Sequence, residues 1–127
     1  MEHQTIHAWV EGYKRAWKTE DREAIGRLFT EDARYFLTPF DEPWVGRATI
    51  VERFRKEPEP SERSTFRYEV QAVEGDTSVV RGWTQYLDDE TGDPGPQFSN
   101  IWLVKFGADG QCREFTEWYM RKDPEDS

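Results

Sequence analysis

An α+β fold, with helices on one side of a curved antiparallel sheet, is what the order of hydrophobic periods predicts for this chain of 127 residues. Three observations predict it. Apolar residues recur at three- to four-residue spacing in the N-terminal third, at Ile6, Trp9, Val10, Tyr13, Ala16 and Trp17. Strict alternation takes over in the second half, as in Phe98, Asn100, Trp102, Val104 and Phe106. Between the alternating runs stand tight-turn residues, Glu74-Gly75-Asp76 and Gly107-Ala108-Asp109-Gly110, where Gly tolerates the positive φ that a hairpin needs.

The first helix is expected over residues 4–18, with the apolar stripe above as its buried face. A shorter helix follows over 20–30, with Thr19 as N-cap and Glu20, Asp21 and Glu23 at the positive end of its dipole. Glu31-Asp32 break into a strand from Ala33 to Pro39, and Pro39 and Pro43 then force an irregular loop. Gly46 opens a third helix, 47–56, with Ile50, Val51 and Phe54 inward. Residues 56–64, KEPEPSERS, read as a solvated connector. Strands are predicted over 65–74 and 77–87, the latter with Val79, Arg81, Trp83 and Gln85 opposing Val80, Gly82, Thr84 and Tyr86. Residues 88–97 form the longest loop, rich in Gly and Pro. The last hairpin spans 98–120, and 121–127 is a polar tail. On its second strand, Arg113, Phe115, Glu117 and Tyr119 alternate with Cys112, Glu114, Thr116, Trp118 and Met120. Aromatic rings lie on both faces of this hairpin, so neither face is simply solvent.

The length favours one domain, 1–127, large enough to bury roughly two thirds of its unfolded surface. Only 35 % of residues are hydrophobic, yet 15 % are aromatic and six are Trp, so the core must be built largely from rings. The net charge of −9 argues against nucleic acid and against an anionic membrane surface as partners. A single cysteine, Cys112, permits no internal disulfide and fits a cytoplasmic location. It follows a hairpin turn with no His near it in sequence, and reads as an inert thiol. No signal peptide and no apolar run of membrane-spanning length is visible. His3 and His7 have the i, i+4 spacing of a metal pair but lack a third ligand, so surface residues and no metal site are expected.

Residues 21–50, DREAIGRLFTEDARYFLTPFDEPWVGRATI, carry a pattern: a helix ending in Leu28-Phe29, then Asp32-Ala33, a strand to Pro39, and a Gly46-Arg47 helix start. With the element order, this resembles the nuclear transport factor 2-like superfamily, particularly its SnoaL-like bacterial members, over nearly the whole chain. The resemblance implies a cone-shaped fold in which a bent sheet wraps the N-terminal helices and leaves a pocket at the open end. It also implies a homodimer through the outer face of the sheet, and no cofactor. Members include ketosteroid isomerases, polyketide cyclases, limonene epoxide hydrolases and scytalone dehydratases.

No active site of those relatives is reproduced in full. Tyr13 and Asp21 match the spacing of the isomerase tyrosine and the following Asp, but Leu37 or Thr38 stands where the isomerase base belongs, and Trp102 stands near its second acid. Tyr35, Arg81 and Glu117 match parts of the epoxide hydrolase pattern, with Leu37 and Trp83 replacing its Asn and middle Asp. Asn100 matches the dehydratase Asn, but that enzyme's two His have no counterpart.

Glu117 leads the candidates. A carboxylate in an aromatic wall has its charged form disfavoured, which moves its pKa towards the range useful for proton transfer; a salt bridge to Arg81 or Arg113 is the competing reading. Asn100 can donate and accept towards a ligand oxygen, or bond to a neighbouring strand. Tyr35 and Arg81 complete the candidate chemistry, with Tyr13, Trp17, Leu37, Trp83 and Trp102 as pocket walls. The equipment suits a small, mostly apolar molecule and cofactor-free isomerisation, cyclisation or hydrolysis. A binding or interaction domain without turnover is the alternative. Ile101, Leu103, Thr116 and Trp118 are expected on the outer face as the dimer patch.

Overall fold

The computed structural model describes residues 3–19, 21–56, 65–87 and 91–123. The expected connector after residue 56, the acidic 88–90 stretch and the end of the tail lie outside the described residues.

Helix α1 spans His3–Thr19. Its stripe of Ile6, Trp9, Val10, Tyr13 and Ala16 is buried, as the 3.6-residue period requires. Helix α2 is only Arg22–Arg27, and its N-cap is Asp21 rather than Thr19: the Asp21 carboxylate accepts from the Glu23 and Ala24 backbone N–H groups. Thr19 instead donates its hydroxyl back to the Arg15 carbonyl and finishes α1. Strand β1 runs Phe29–Phe36, starting four residues before the expected Ala33 and stopping before Pro39. Two residues just after Pro43, Trp44–Val45, form β2, which sequence reading missed. Gly46, at φ 92°, then reverses the chain into α3, Arg47–Lys56. Strands β3 (Thr65–Glu74) and β4 (Thr77–Leu87) fall where the alternation places them. Strand β5, Pro94–Phe106, begins inside the expected loop, and β6 runs Cys112–Lys122, into the expected tail.

The six strands form one bent sheet in the order β2-β1-β6-β5-β4-β3. The four C-terminal strands pair antiparallel, as predicted, but β1 joins β6 in parallel, so the sheet is mixed. The turn before β6 places Asp109 and Gly110 at positive φ. A register shift next to it lets Cys112 pair with Phe106 while Glu114 pairs with Lys105. That bulge turns Cys112 into the core, out of the simple alternation, and leaves Arg113 on the surface.

Registers fix which side chains share a face. Val80, Trp102 and Glu117 lie in one row across β4, β5 and β6; Gly82, Asn100 and Tyr119 lie in the next. These rows face the helices. The core beneath them is a cluster of rings: Trp9 meets Phe29 and Phe106 edge-on, while Phe115 stacks on Tyr35 at 4.5 Å. No helix among the described residues is long and apolar enough to cross a membrane.

Candidate functional site

Glu117 sits on the inner face of β6, directly opposite Trp102. Its Oε2 accepts two hydrogen bonds of 2.8 Å, one from Asn100 Nδ2 and one from Trp102 Nε1. Thr84 Oγ1 donates to Asn100 Oδ1 at 3.5 Å, which orients the amide so that its NH2 faces the carboxylate. The alternation of β5 makes this possible, because Asn100 and Trp102 are two residues apart and project side by side. Burial pushes the Glu117 pKa above the ordinary carboxylate value, and the Trp102 and Asn100 hydrogen bonds pull it back in part. Oε1 carries no hydrogen bond among the described residues.

The salt-bridge reading of Glu117 is corrected by the geometry. Arg81 is on the opposite face of the sheet, exposed, with its guanidinium 4.5 Å from the Trp83 ring. Arg113 donates to Asp76 at 3.1 Å and to the Phe106 carbonyl at 3.2 Å. Arg81 and Trp83 therefore leave the site. Their strand alternates, and it is Val80, Gly82, Thr84 and Tyr86 that face inward. Gly82 is needed there, since a Cβ at that position would stand 2.8 Å from the Phe66 ring.

Around Glu117 the inner face encloses a hollow with two lobes. One, of about 270 Å³, lies towards β4 and β5 and is lined by Tyr13, Trp17, Phe66, Thr84, Asn100, Trp102 and Tyr119. The other, of about 250 Å³, lies towards β1 and α3 and is lined by Tyr35, Leu37, Trp44 and Phe54. Tyr13, Trp17, Tyr86 and Glu117 border both. The structure thus gathers seven of the sequence candidates, Glu117, Asn100, Trp102, Tyr13, Trp17, Tyr35 and Leu37, around one space. The hydroxyls of Tyr13 and Tyr35 meet at 2.8 Å. Burial, then Tyr13 and the Glu117 charge, raise the Tyr35 pKa well above that of a free phenol. Tyr86, Thr84, Phe66 and Trp44 were missed. The inward row of β4 carries Gly82, and a glycine facing a predicted aromatic strand was the available signal for it.

Cys112 and the His3/His7 pair were set aside in the sequence reading, and the His3 side chain lies outside the described residues. Cys112 is buried, and burial pushes its thiol up to about 12. His7 Nδ1 lies 3.0 Å from the Tyr68 hydroxyl, and no His, Cys, Asp and Glu cluster suited to a metal occurs among the described residues.

Comparison with known proteins places this geometry in context. An NTF2-like protein of unknown function from Cytophaga hutchinsonii superposes with a TM-score of 0.67 at 15 % identity, covering 92 % of this chain and 97 % of its own. SalBIII, an epoxide hydrolase/cyclase-like enzyme of pyran ring formation in the polyether salinomycin, gives 0.70 at 18 % identity, covering 94 % and 93 %. A putative ketosteroid isomerase from Kribbella flavida gives 0.64 at 18 % identity, covering 92 % and 78 %. At these identities the likeness is one of fold. No curated protein matches. The SnoaL-like domain profile matches residues 10–115, and with that span, most of the helices and sheet that enclose Glu117, the chain belongs to the SnoaL-like domain family of the NTF2-like superfamily.

Proposed function

We propose that the two-lobed hollow binds a small, mostly apolar molecule bearing an oxygen, and that Glu117 moves a proton on it without a cofactor. One observation carries this reading: a carboxylate with one oxygen held by Asn100 and Trp102 and the other unbonded, set in an aromatic hollow that raises its pKa. A base of this kind can take a proton from carbon next to a carbonyl and return it to the same or another carbon. Isomerisation uses such a step, and a protein described as a putative ketosteroid isomerase shares this fold. The outer face of the sheet, where Ile101, Trp118 and Met120 are exposed, is proposed as the contact of a homodimer.

The test is proton exchange. In D2O, 2-acetonaphthone exchanges its methyl protons slowly; the protein should accelerate this, as followed by NMR. Each event takes a proton from the methyl carbon onto the Glu117 carboxylate, leaves an enolate, and returns deuterium to carbon. Glu117→Gln should bring the rate down to that of buffer, a loss of roughly a hundredfold or more. A rate unchanged by the substitution would sink the assignment.

A specific observation favours a second reading, a binding domain without turnover. Among the described residues, Glu117 and Lys14 are the only lining groups other than tyrosines that ionise, and Lys14 is paired with Glu11 at 3.4 Å. A step needing a separate strong acid has no evident donor. Binding of the ketone with no accelerated exchange selects this reading.

A further inference from the structure

Four residues border both lobes, and their polar atoms differ in one respect. The Tyr13 hydroxyl is bonded to Tyr35. Glu117 Oε2 is taken by Asn100 and Trp102. The Trp17 indole N–H and the Tyr86 hydroxyl have no hydrogen bond among the described residues. Neither atom is sealed from solvent, so each is open to water or to a ligand in the hollow. We propose that Tyr86 is a positioning residue of the site, its hydroxyl donating to the oxygen of a neutral ketone whose flat apolar body extends into both lobes, opposite the unbonded oxygen of Glu117. This rests on the ligand-binding reading above and names the substrate class.

Other hydroxyls are less suited. Tyr13 and Tyr35 bond to each other, Thr84 donates to Asn100, and Tyr119 is half exposed and borders one lobe only. Tyr86 is held in place from two sides. Its ring meets the Phe98 ring edge-on at 5.7 Å. The Gln85 side-chain amide donates to the Tyr86 carbonyl at 2.6 Å and to the Gly95 carbonyl at 3.1 Å, tying the end of β4 to the start of β5. Burial and the Glu117 charge both raise its pKa, so the phenol keeps its proton and remains a donor at neutral pH. A ketone oxygen accepts but cannot donate, which matches a site offering O–H on one side and a carboxylate for an adjacent C–H on the other. The parallel rings of Tyr35 and Trp44, 4.9 Å apart, give the second lobe a flat wall that suits a planar ligand body.

Two probes of nearly equal shape test this: 2-acetonaphthone, which carries the carbonyl, and 2-isopropylnaphthalene, which does not. Dissociation constants are measured by fluorescence titration for the wild type, Tyr86→Phe and, as a control outside the hollow, Tyr68→Phe, whose hydroxyl lies against His7. Tyr86→Phe should weaken the ketone about three- to tenfold and change the hydrocarbon less than about twofold; Tyr68→Phe should change neither. An equal loss for both probes would make Tyr86 a wall or a folding determinant and overturn the inference, as would no loss for either. If both probes bind and Tyr86→Phe fails to discriminate, this inference alone falls. If neither binds the wild type, the pocket reading falls and takes this one with it.

Discussion

Glu117 links the site to the stability of the protein through its proton. Its folded pKa lies above the unfolded value because burial disfavours the charge. Between those two values the folded state holds the proton and the unfolded state does not, so stability falls as pH rises through that window. Below the unfolded value the penalty is absent; above the folded value it is fully developed. Glu117→Gln keeps an amide oxygen to accept from Asn100 and Trp102 but removes the titration. The variant is expected to melt above the wild type at pH 7, with the difference closing as pH is lowered past the ordinary carboxylate range. Thermal denaturation at a series of pH values measures it; a pH-independent gap would show that Glu117 is not desolvated. The candidacy of Glu117 and Asn100 was legible because a polar residue in a row of rings is rare and costly. The error over Arg81 and Trp83 has an equally physical origin. Alternation separates two faces but does not say which one looks inward when both carry aromatics, and Trp83 turned out to be the outer platform for Arg67 and Arg81, at 4.1 and 4.5 Å.

At the scale of elements, β3, β4 and α3 have the bounds expected from sequence, because each is set by a local period. The start of β1 was illegible for the opposite reason. Thr30-Glu31-Asp32 is polar, and what draws this segment into the sheet is a parallel partner on β6, remote in sequence: Phe29 pairs with Cys112 and Tyr35 with Phe115. The bulge that buries Cys112 was hidden as well, since one added residue shifts the phase of an alternation without marking itself in composition. Where the alternation held, it exposes a packing constraint that can be tested. Gly82 leaves room for Phe66, whose ring stacks on Trp102 at 5.5 Å and forms part of the wall of the hollow. Gly82→Ala puts a methyl group 2.8 Å from that ring, so Phe66 must move. The variant should lose about 1–3 kcal/mol of stability, as overpacked sites do. It should also bind 2-isopropylnaphthalene more weakly, because the displaced ring changes the first lobe. Denaturant unfolding and the same fluorescence titration measure the two effects. A variant with unaltered stability and affinity would mean that the sheet bends enough to absorb the methyl.

At the scale of the whole molecule, the sheet has two unlike faces. The inner one packs against the helices and holds the hollow. The outer one exposes Ile101 and Trp118, which pair across β5 and β6, and Met120 beside them, exposed to 37 %, 44 % and 78 %. Sequence reading placed Leu103 and Thr116 in the same patch, but Thr116 is buried between Leu103 and Phe36 in the register and Leu103 is half-buried, so the exposed centre lies nearer the open end. A chain of net charge −9 resists close approach of its own copies, so any self-association must come from a local surface where apolar side chains outweigh that repulsion. This face meets the requirement: besides the three apolar groups it carries Arg67 and Arg81, which locally offset the acidic excess. In a two-fold contact each substitution acts twice, once per copy. If the proposed dimer forms, Trp118→Asp should therefore weaken it by at least about a hundredfold and leave monomer at micromolar concentration in sedimentation velocity. Because Trp118 points away from the hollow, the variant's affinity for 2-acetonaphthone should match that of the wild type. A wild type that sediments as a monomer would rule out the interface, and a monomeric variant that also loses the ketone would show that the outer face supports the inner one.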